Sequence, residues 1–219
     1  MPFALTLAIP RLYAILDVDV TLSRGLVPLD VLDAWLDAGV RLVQVRAKNQ
    51  AWSGGPLLDL AEQVLTRARP AGATVIVNDR ADVARLAKAD GVHVGQDDLT
   101  PSEVRAIVGP EAVVGLSTHS TAQVDSGCRE PVNYLAIGPV YRSATRMAVG
   151  EPIGEAGVAA AVARARPVNL PVVGIGGITL ENAPRVIAAG ASSVAVISAL
   201  IGRDPRQRAR QLLDALSTI

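Results

Sequence analysis

Cysteine is nearly missing from the 219-residue chain: Cys128 stands alone, which excludes an intrachain disulfide and any metal cluster built on several thiolates. A reducing, cytoplasmic compartment suits that usage. Histidine is almost as scarce, His93 and His119 being the only two, so a histidine-rich transition-metal site has little support. Net charge is absent too, since 21 Lys and Arg balance 21 Asp and Glu. That balance removes the bulk electrostatic case for nucleic acid or an acidic membrane surface, and an anionic ligand needs a local site. No apolar run is long enough for a membrane span. The opening MPFALTLAIP is apolar but lacks the basic stretch and small-residue cleavage site of a signal peptide, so none is expected. Lysine is limited to Lys48 and Lys88 among many arginines, which makes each worth placing.

What the chain does have is alternation. Half of it is hydrophobic, enough for a sizeable core. Short β-rich runs at Leu12–Asp17, Leu42–Ala47, Thr74–Asp79, Gly91–Gly95, Val113–Ser117, Tyr134–Pro139, Pro171–Gly177 and Val194–Ala199 are continuous in Val, Ile, Leu and Ala, as strands covered on both faces should be. Between and after them, segments with helical spacing fall at Leu29–Ala38, Pro56–Arg69, Ala81–Ala89, Pro101–Val108, Thr121–Cys128, Glu155–Ala165, Glu181–Ala189 and Pro205–Leu216. Eight strand-helix units without a linker or a solenoid-type repeat read as one α/β domain over residues 1–219, a single (β/α)8 TIM barrel. A doubly wound sheet is the alternative.

In such a barrel the chemistry gathers where strands end. The second run ends in Gln44, Arg46 and Lys48, which period-two spacing turns to one face. The third ends in Asn78 and Asp79, the fourth in Gln96, Asp97 and Asp98, the fifth in Ser117 and His119. Two cations beside an amide, with acids on neighbouring exits, suggest a phosphate-rich substrate carrying Mg²⁺, for which Asp79 and Asp98 could supply carboxylates. Asp98 also has a plainer reading, because Asp98 or Thr100 could cap the helix that Pro101 and Glu103 announce. A second anion site is suggested by Gly176 and Gly177 opening a helix after the seventh run, followed by Ile197 and Ser198 on the eighth. Two facing anion sites imply joining or rearranging two phosphorylated pieces. Cys128 sits in a helical segment, and no nucleophile-base-orienter set stands out.

The segments VQVRAK, VIVNDRADVA, ADGVHVGQDDL, VVGLSTHS, YLAIGPVY, VVGIGGIT and VAVISAL, in that order and spacing, resemble the thiamine phosphate synthase family from Leu12 to Leu200. The resemblance implies a (β/α)8 enzyme that joins an aminopyrimidine diphosphate to a thiazole phosphate with release of diphosphate. It implies that the stretch Gln44, Val45, Arg46, Ala47, Lys48, with Asn78, Ser117 and Arg146, holds the pyrimidine diphosphate, with Arg46, Lys48, Ser117 and Arg146 assisting catalysis. Ser143, Ala144, Thr145, Gly177, Ile197 and Ser198 would take the thiazole phosphate. Asp79 and Asp98 would bind Mg²⁺, which leaves helix capping to Thr100 or Ser102. The implied substitution is dissociative and needs no covalent nucleophile. Residues 142–154 read as a mobile active-site loop.

Three positions depart from the family pattern: Arg146 where lysine is usual, Ser143 where threonine is frequent, and Ala47 where glutamate is common. Arginine keeps the charge but presents a planar fork of different reach, and period two turns residue 47 away from the site. A thiazole tautomerase of the same barrel family is the nearest rival, with His119 as its acid or base and no use for the acid pair. A non-catalytic regulatory barrel binding a phosphorylated metabolite is the rival from another class. The expected partners are the small phosphorylated substrates, with neither nucleic acid nor membrane, and the resemblance allows a homodimer.

Overall fold

Eight short runs form eight parallel strands: β1 Leu12–Asp17, β2 Leu42–Arg46, β3 Thr74–Asn78, β4 Gly91–Val94, β5 Val113–Thr118, β6 Tyr134–Ile137, β7 Val172–Ile175 and β8 Ser193–Val196. Each pairs with its sequence neighbours and β8 pairs with β1, which closes the barrel. The structure, a computed structural model, describes residues 9–142 and 151–217. Helices α1 Val18–Ser23, α2 Pro28–Ala38, α3 Gly55–Ala68, α4 Ala81–Ala87, α5 Pro101–Val108, α6 Thr121–Gly127, α7 Gly154–Ala165, α8 Ala183–Ala188 and α9 Pro205–Ser217 complete the described elements, with short 3-10 turns at Gln50–Trp52 and Arg166–Val168. The barrel expected from sequence is therefore the fold.

Period two sorts every strand into two faces. Val43, Val45, Val75, Val77, Val92, Val94, Val114, Leu135, Val194 and Val196 point outward and pack with Leu32, Trp35, Val64 and Val104 of the helical layer. Tyr13, Ile15, Leu42, Ile76, Tyr134, Ala136, Val173 and Ala195 point inward and fill the barrel. Such an interior is packed rather than hollow, so bulky inward residues need small neighbours. Gly115 supplies that room. It is the register partner of Tyr134, and a Cβ on it would lie 2.1 Å from the Tyr134 ring.

The strand ends run shorter than the sequence suggests at β6 and β7, where Gly138, Pro139, Gly176 and Gly177 belong to loops, and β8 also ends early, at Val196. At the β6 and β7 exits the turn chemistry of glycine and proline outweighs local apolar character. Helix α1 has no counterpart in the sequence reading. Only six residues long, it starts where the Asp17 carboxylate accepts the Val20 amide at 3.0 Å, a cap hidden inside the strand exit. At α5 the cap is Thr100: its hydroxyl accepts the Glu103 amide, and the Glu103 carboxylate accepts the Thr100 amide at 2.8 Å. Asp98 is thereby released from capping. Among the described residues no helix is long and apolar enough to cross a membrane.

Gly115→Ala is expected to destabilise the fold by about 1–3 kcal/mol, the usual cost of forcing a methyl into a filled core. Urea unfolding of the variant checks this, and an unchanged midpoint would mean that Tyr134 can move aside.

Candidate active site

Closure places all eight strand exits around one mouth. Beneath that mouth lies a cavity of about 830 Å³, reached by Asp17, Arg46, Asn78, His93 and Ser117 from one half of the barrel and by Gly177 and Ser198 from the other. The inward column on β2 continues from Gln44 through Arg46 to Lys48, and each of the three meets a different partner. Gln44 is 3% exposed and its amide nitrogen donates to Tyr13 Oη at 2.7 Å, so it lies beneath the cavity and does not line it. Arg46 forms an ion pair with Asp17, its register partner on β1. Lys48, about half exposed, forms an ion pair with Asp79.

The loop carrying these cations is tied down twice from the first unit. Asp17, 1% exposed, engages the Arg46 guanidinium while capping α1. Asp19 accepts the backbone amides of Lys48 and Asn49 at 2.9 and 3.2 Å. Val45 and Ala47 pack outward against the helical layer, so any contact they make with a ligand in the cavity runs through backbone.

The acids stand on the exits of β3 and β4. Asp79 holds a left-handed backbone, φ 61°, which costs a non-glycine residue on the order of 1 kcal/mol and belongs to the strain typical of functional sites. Burial pushes its carboxyl above the usual carboxylate range, Lys48 pulls it back, and the adjacent Asp98 carboxylate pushes it up again. Asp98 is oriented by accepting the Gly95 amide at 2.7 Å. Two carboxylates side by side, one of them reluctant to ionise, make an oxygen-donor pair suited to a hard cation. Asn78, one residue before Asp79, has a buried Nδ2 without a hydrogen-bond partner among the described residues. An unpaired buried amide costs about 1–3 kcal/mol, which an acceptor on a ligand would recover.

Ser117 Oγ lies 2.8 Å from His93 Nε2, and the Gln96 side chain donates to the Ser117 carbonyl at 2.6 Å, so the β5 exit is clamped from β4. His119 also lines the cavity, and its Nδ1 reaches the Gly138 carbonyl at 2.7 Å. Across the cavity, Gly177 has φ +67°, and a Cβ there would sit 2.5 Å from the Arg142 carbonyl oxygen. Glycine is required at that turn both by its conformation and by the close approach. Ile197 and Ser198 also line the cavity. Their loop is held from outside by Arg24, which donates to the Ser198 carbonyl at 2.8 Å and to the Ile201 carbonyl. Ser143, Ala144, Thr145 and Arg146, expected at the sixth exit, lie outside the described residues, as does most of the 142–154 loop.

Tyr13, Tyr134, Asp17, Asp19 and Arg24 are contributors that the sequence reading misses. Asp17 was legible, because it ends a strand as Asp79 does. The two tyrosines look like core aromatics until their hydroxyls are seen to bond, and nothing in the sequence marks Arg24.

Residues 12–200 match the family described as thiamine monophosphate synthase. The chain is 44% identical over 212 residues to the thiamine-phosphate synthase of Koribacter versatilis, covering 96% of this chain and 97% of that protein. With the thiamine-phosphate synthase of Roseiflexus castenholzii it shares 40% over 203 residues, 92% of this chain and 86% of that one. Among solved structures, the thiamine phosphate pyrophosphorylase from Pyrococcus furiosus superposes with a TM-score of 0.82 at 27% identity, covering 95% of this chain and 96% of its own.

Asp17→Asn is expected to lower stability by roughly 3 kcal/mol, because it removes one partner of a largely buried ion pair. Urea unfolding of this variant, of Arg46→Ala and of the double substitution would show strong coupling. Additive losses would mean that the pair does not hold the loop.

Proposed function

The chain belongs to the thiamine monophosphate synthase family, and from that premise we propose how its barrel mouth joins two phosphorylated heterocycles. The reaction class is transfer of a pyrimidinylmethyl group from diphosphate to a thiazole nitrogen. What supports this reading is one cavity with Arg46, Asn78 and Ser117 on one side and the Gly177 turn and Ser198 on the other, while Lys48, Asp79 and Asp98 stand on the same group of exits just outside its lining.

The diphosphate sits over the β2 to β5 exits. Arg46 and Lys48 supply positive charge there, Asn78 offers its unpaired amide and Ser117 its hydroxyl. Asp79 and Asp98 are the carboxylates that would hold Mg²⁺, and their crowding fits a cation that removes the repulsion between them. When bound, that ion supplies charge neutralisation at the diphosphate oxygens. The thiazole phosphate is taken by the opposite side, at Gly177, Ile197 and Ser198, with Ser143, Ala144 and Thr145 of the sixth loop, and Arg146 adds charge on the diphosphate side.

The C–O bond between the pyrimidine methylene and diphosphate breaks, and diphosphate leaves with the electron pair. The electron-rich aminopyrimidine delocalises the positive charge that remains. The thiazole nitrogen then donates its lone pair to the methylene carbon, forming the C–N bond of thiamine phosphate. Lys48 and Arg46 stabilise charge growing on the leaving group, and the two binding sides set the distance between nitrogen and carbon. Asp17 keeps Arg46 in place throughout, since its carboxylate is anchored by α1. The adjacent acid pair weighs against the tautomerase, which has no leaving diphosphate to neutralise.

Diphosphate release by the purified protein is expected to require both substrates and Mg²⁺, to stop with EDTA, and to match thiamine phosphate formed one for one. Asp98→Ala is expected to lower turnover more than about 100-fold at ordinary Mg²⁺, as loss of charge stabilisation at a leaving group predicts, with the fold intact. Release from the pyrimidine diphosphate alone at the full rate, or full activity of the variant, would sink the two-sided site.

A further inference from the structure

A polar chain runs through the barrel interior and ends on Ser117, the hydroxyl assigned above to the diphosphate side. Gln44 Nε2 donates to Tyr13 Oη at 2.7 Å, and Tyr13 Oη lies 3.0 Å from Tyr134 Oη. Tyr134 Oη in turn lies 2.9 Å from His93 Nδ1, and His93 Nε2 lies 2.8 Å from Ser117 Oγ. The chain crosses the barrel from β2 through β1, β6 and β4 to β5, and it ends on the hydroxyl at the cavity floor. Neither tyrosine lines the cavity.

Its direction follows from counting protons. The Gln44 amide nitrogen is a donor only, so Tyr13 Oη accepts there and must place its own proton on its other hydrogen-bond neighbour among the described residues, Tyr134 Oη. Tyr134, already accepting, turns its proton toward His93 Nδ1. An imidazole that accepts at Nδ1 carries its proton on Nε2, and Nε2 faces Ser117 Oγ. The serine oxygen accepts that bond, which leaves the serine proton to point into the cavity. Burial pushes both phenols well above their ordinary range, so both remain proton donors at any ordinary pH. Stacking of His93 on Tyr134, with centroids 5.5 Å apart and planes at 19°, holds the imidazole in the plane that this bonding needs.

We propose that this one-directional chain fixes His93 as the Nε2–H tautomer and so presents the Ser117 hydroxyl as a proton donor toward the diphosphate. Its last link rests on the functional reading above; the tautomer does not. Tyr13, Tyr134 and His93 are then positioning residues, and Ser117 is the group that touches substrate. The second histidine is a built-in contrast. His119 Nδ1 faces a carbonyl, that of Gly138, and must donate to it, so the two histidines of this chain adopt opposite tautomers.

Long-range 1H–15N correlation spectra of protein labelled at its two histidines, without substrate and well above the imidazole pKa, test the tautomer directly. His93 is expected to carry its proton on Nε2 and His119 on Nδ1; a His93 proton on Nδ1 overturns the proposal. Tyr13→Phe cuts the chain, and is expected to mix the two forms of His93 and lower kcat about tenfold, the worth of one hydrogen bond, with KM little changed. An unaltered His93 signal with unaltered kcat would also overturn it. His93→Gln, whose amide nitrogen can replace Nε2–H, is expected to keep kcat within about tenfold, whereas His93→Met loses about 100-fold. Equal losses in the two would reduce His93 to a space filler. Because the spectra need no substrate, a failure of the diphosphate assay leaves the tautomer result standing on its own.

Discussion

Closing eight parallel strands forces every second side chain of every strand into one narrow column, and the rest of this protein follows from how that column is filled. Its lower part is mostly apolar, with Leu42, Ile76, Val173 and Ala195, beside one buried hydroxyl, Ser193, that has no hydrogen-bond partner among the described residues. Its middle is polar and mostly buried, and a buried polar layer is tolerable only when each member has a partner. The chain from Gln44 through two tyrosines to His93 meets that condition without a buried charge. Only above it, where the strands end, do ionic groups begin.

Two ion pairs at these exits join neighbouring strand-helix units. Arg46 answers Asp17 one strand away, and Lys48 answers Asp79 on the other side. The pairing reconciles a strongly charged site with a chain of zero net charge. The two pairs differ in kind. Asp17 is sealed beneath Arg46 and gives that cation a fixed position, whereas Lys48 and Asp79 meet near solvent, where exchange of partners is cheap. A guanidinium with a fixed anchor suits holding a ligand, and an exposed ammonium suits following charge as it develops.

The fold was legible because the signal that encodes it is local. Uninterrupted Val, Ile, Leu and Ala runs mark doubly covered strands, and β1 and α5 match the expected bounds residue for residue. The polar residues at the exits were legible for the same reason: in a strand reading, Arg46, Asp79 or Asp98 has no business at an apolar terminus unless it faces a mouth. The missed features depend on distance in space. Tyr13 and Tyr134 lie 121 residues apart, and their hydroxyl contact gives neither strand an unusual pattern. Arg24 reaches Ser198 over 174 residues from an exposed helix end. Helix α1 is invisible because its cap, Asp17, also counts as the end of β1 and as the partner of Arg46. Asp17 is legible as a strand-end acid, but nothing local marks it as a helix cap as well.

The turns that follow β6 and β7 cannot move independently, and the reason lies in backbone. At the sixth exit the Tyr141 amide donates to the Gly176 carbonyl at 3.0 Å, while the Ile153 and Gly154 amides donate to the Pro139 and Val140 carbonyls, so the base of the sixth loop is closed on itself and on the seventh turn. Gly177 then lies so near the Tyr141 and Arg142 carbonyls that no Cβ fits between them. From the other flank, Tyr141 donates to Glu155, which also meets Arg185 at the start of α8. A displacement of the Gly177 turn must therefore move the Tyr141–Arg142 backbone packed against it. Coupling of this sort needs no dedicated pathway, only two loops that share hydrogen bonds and have no slack between them.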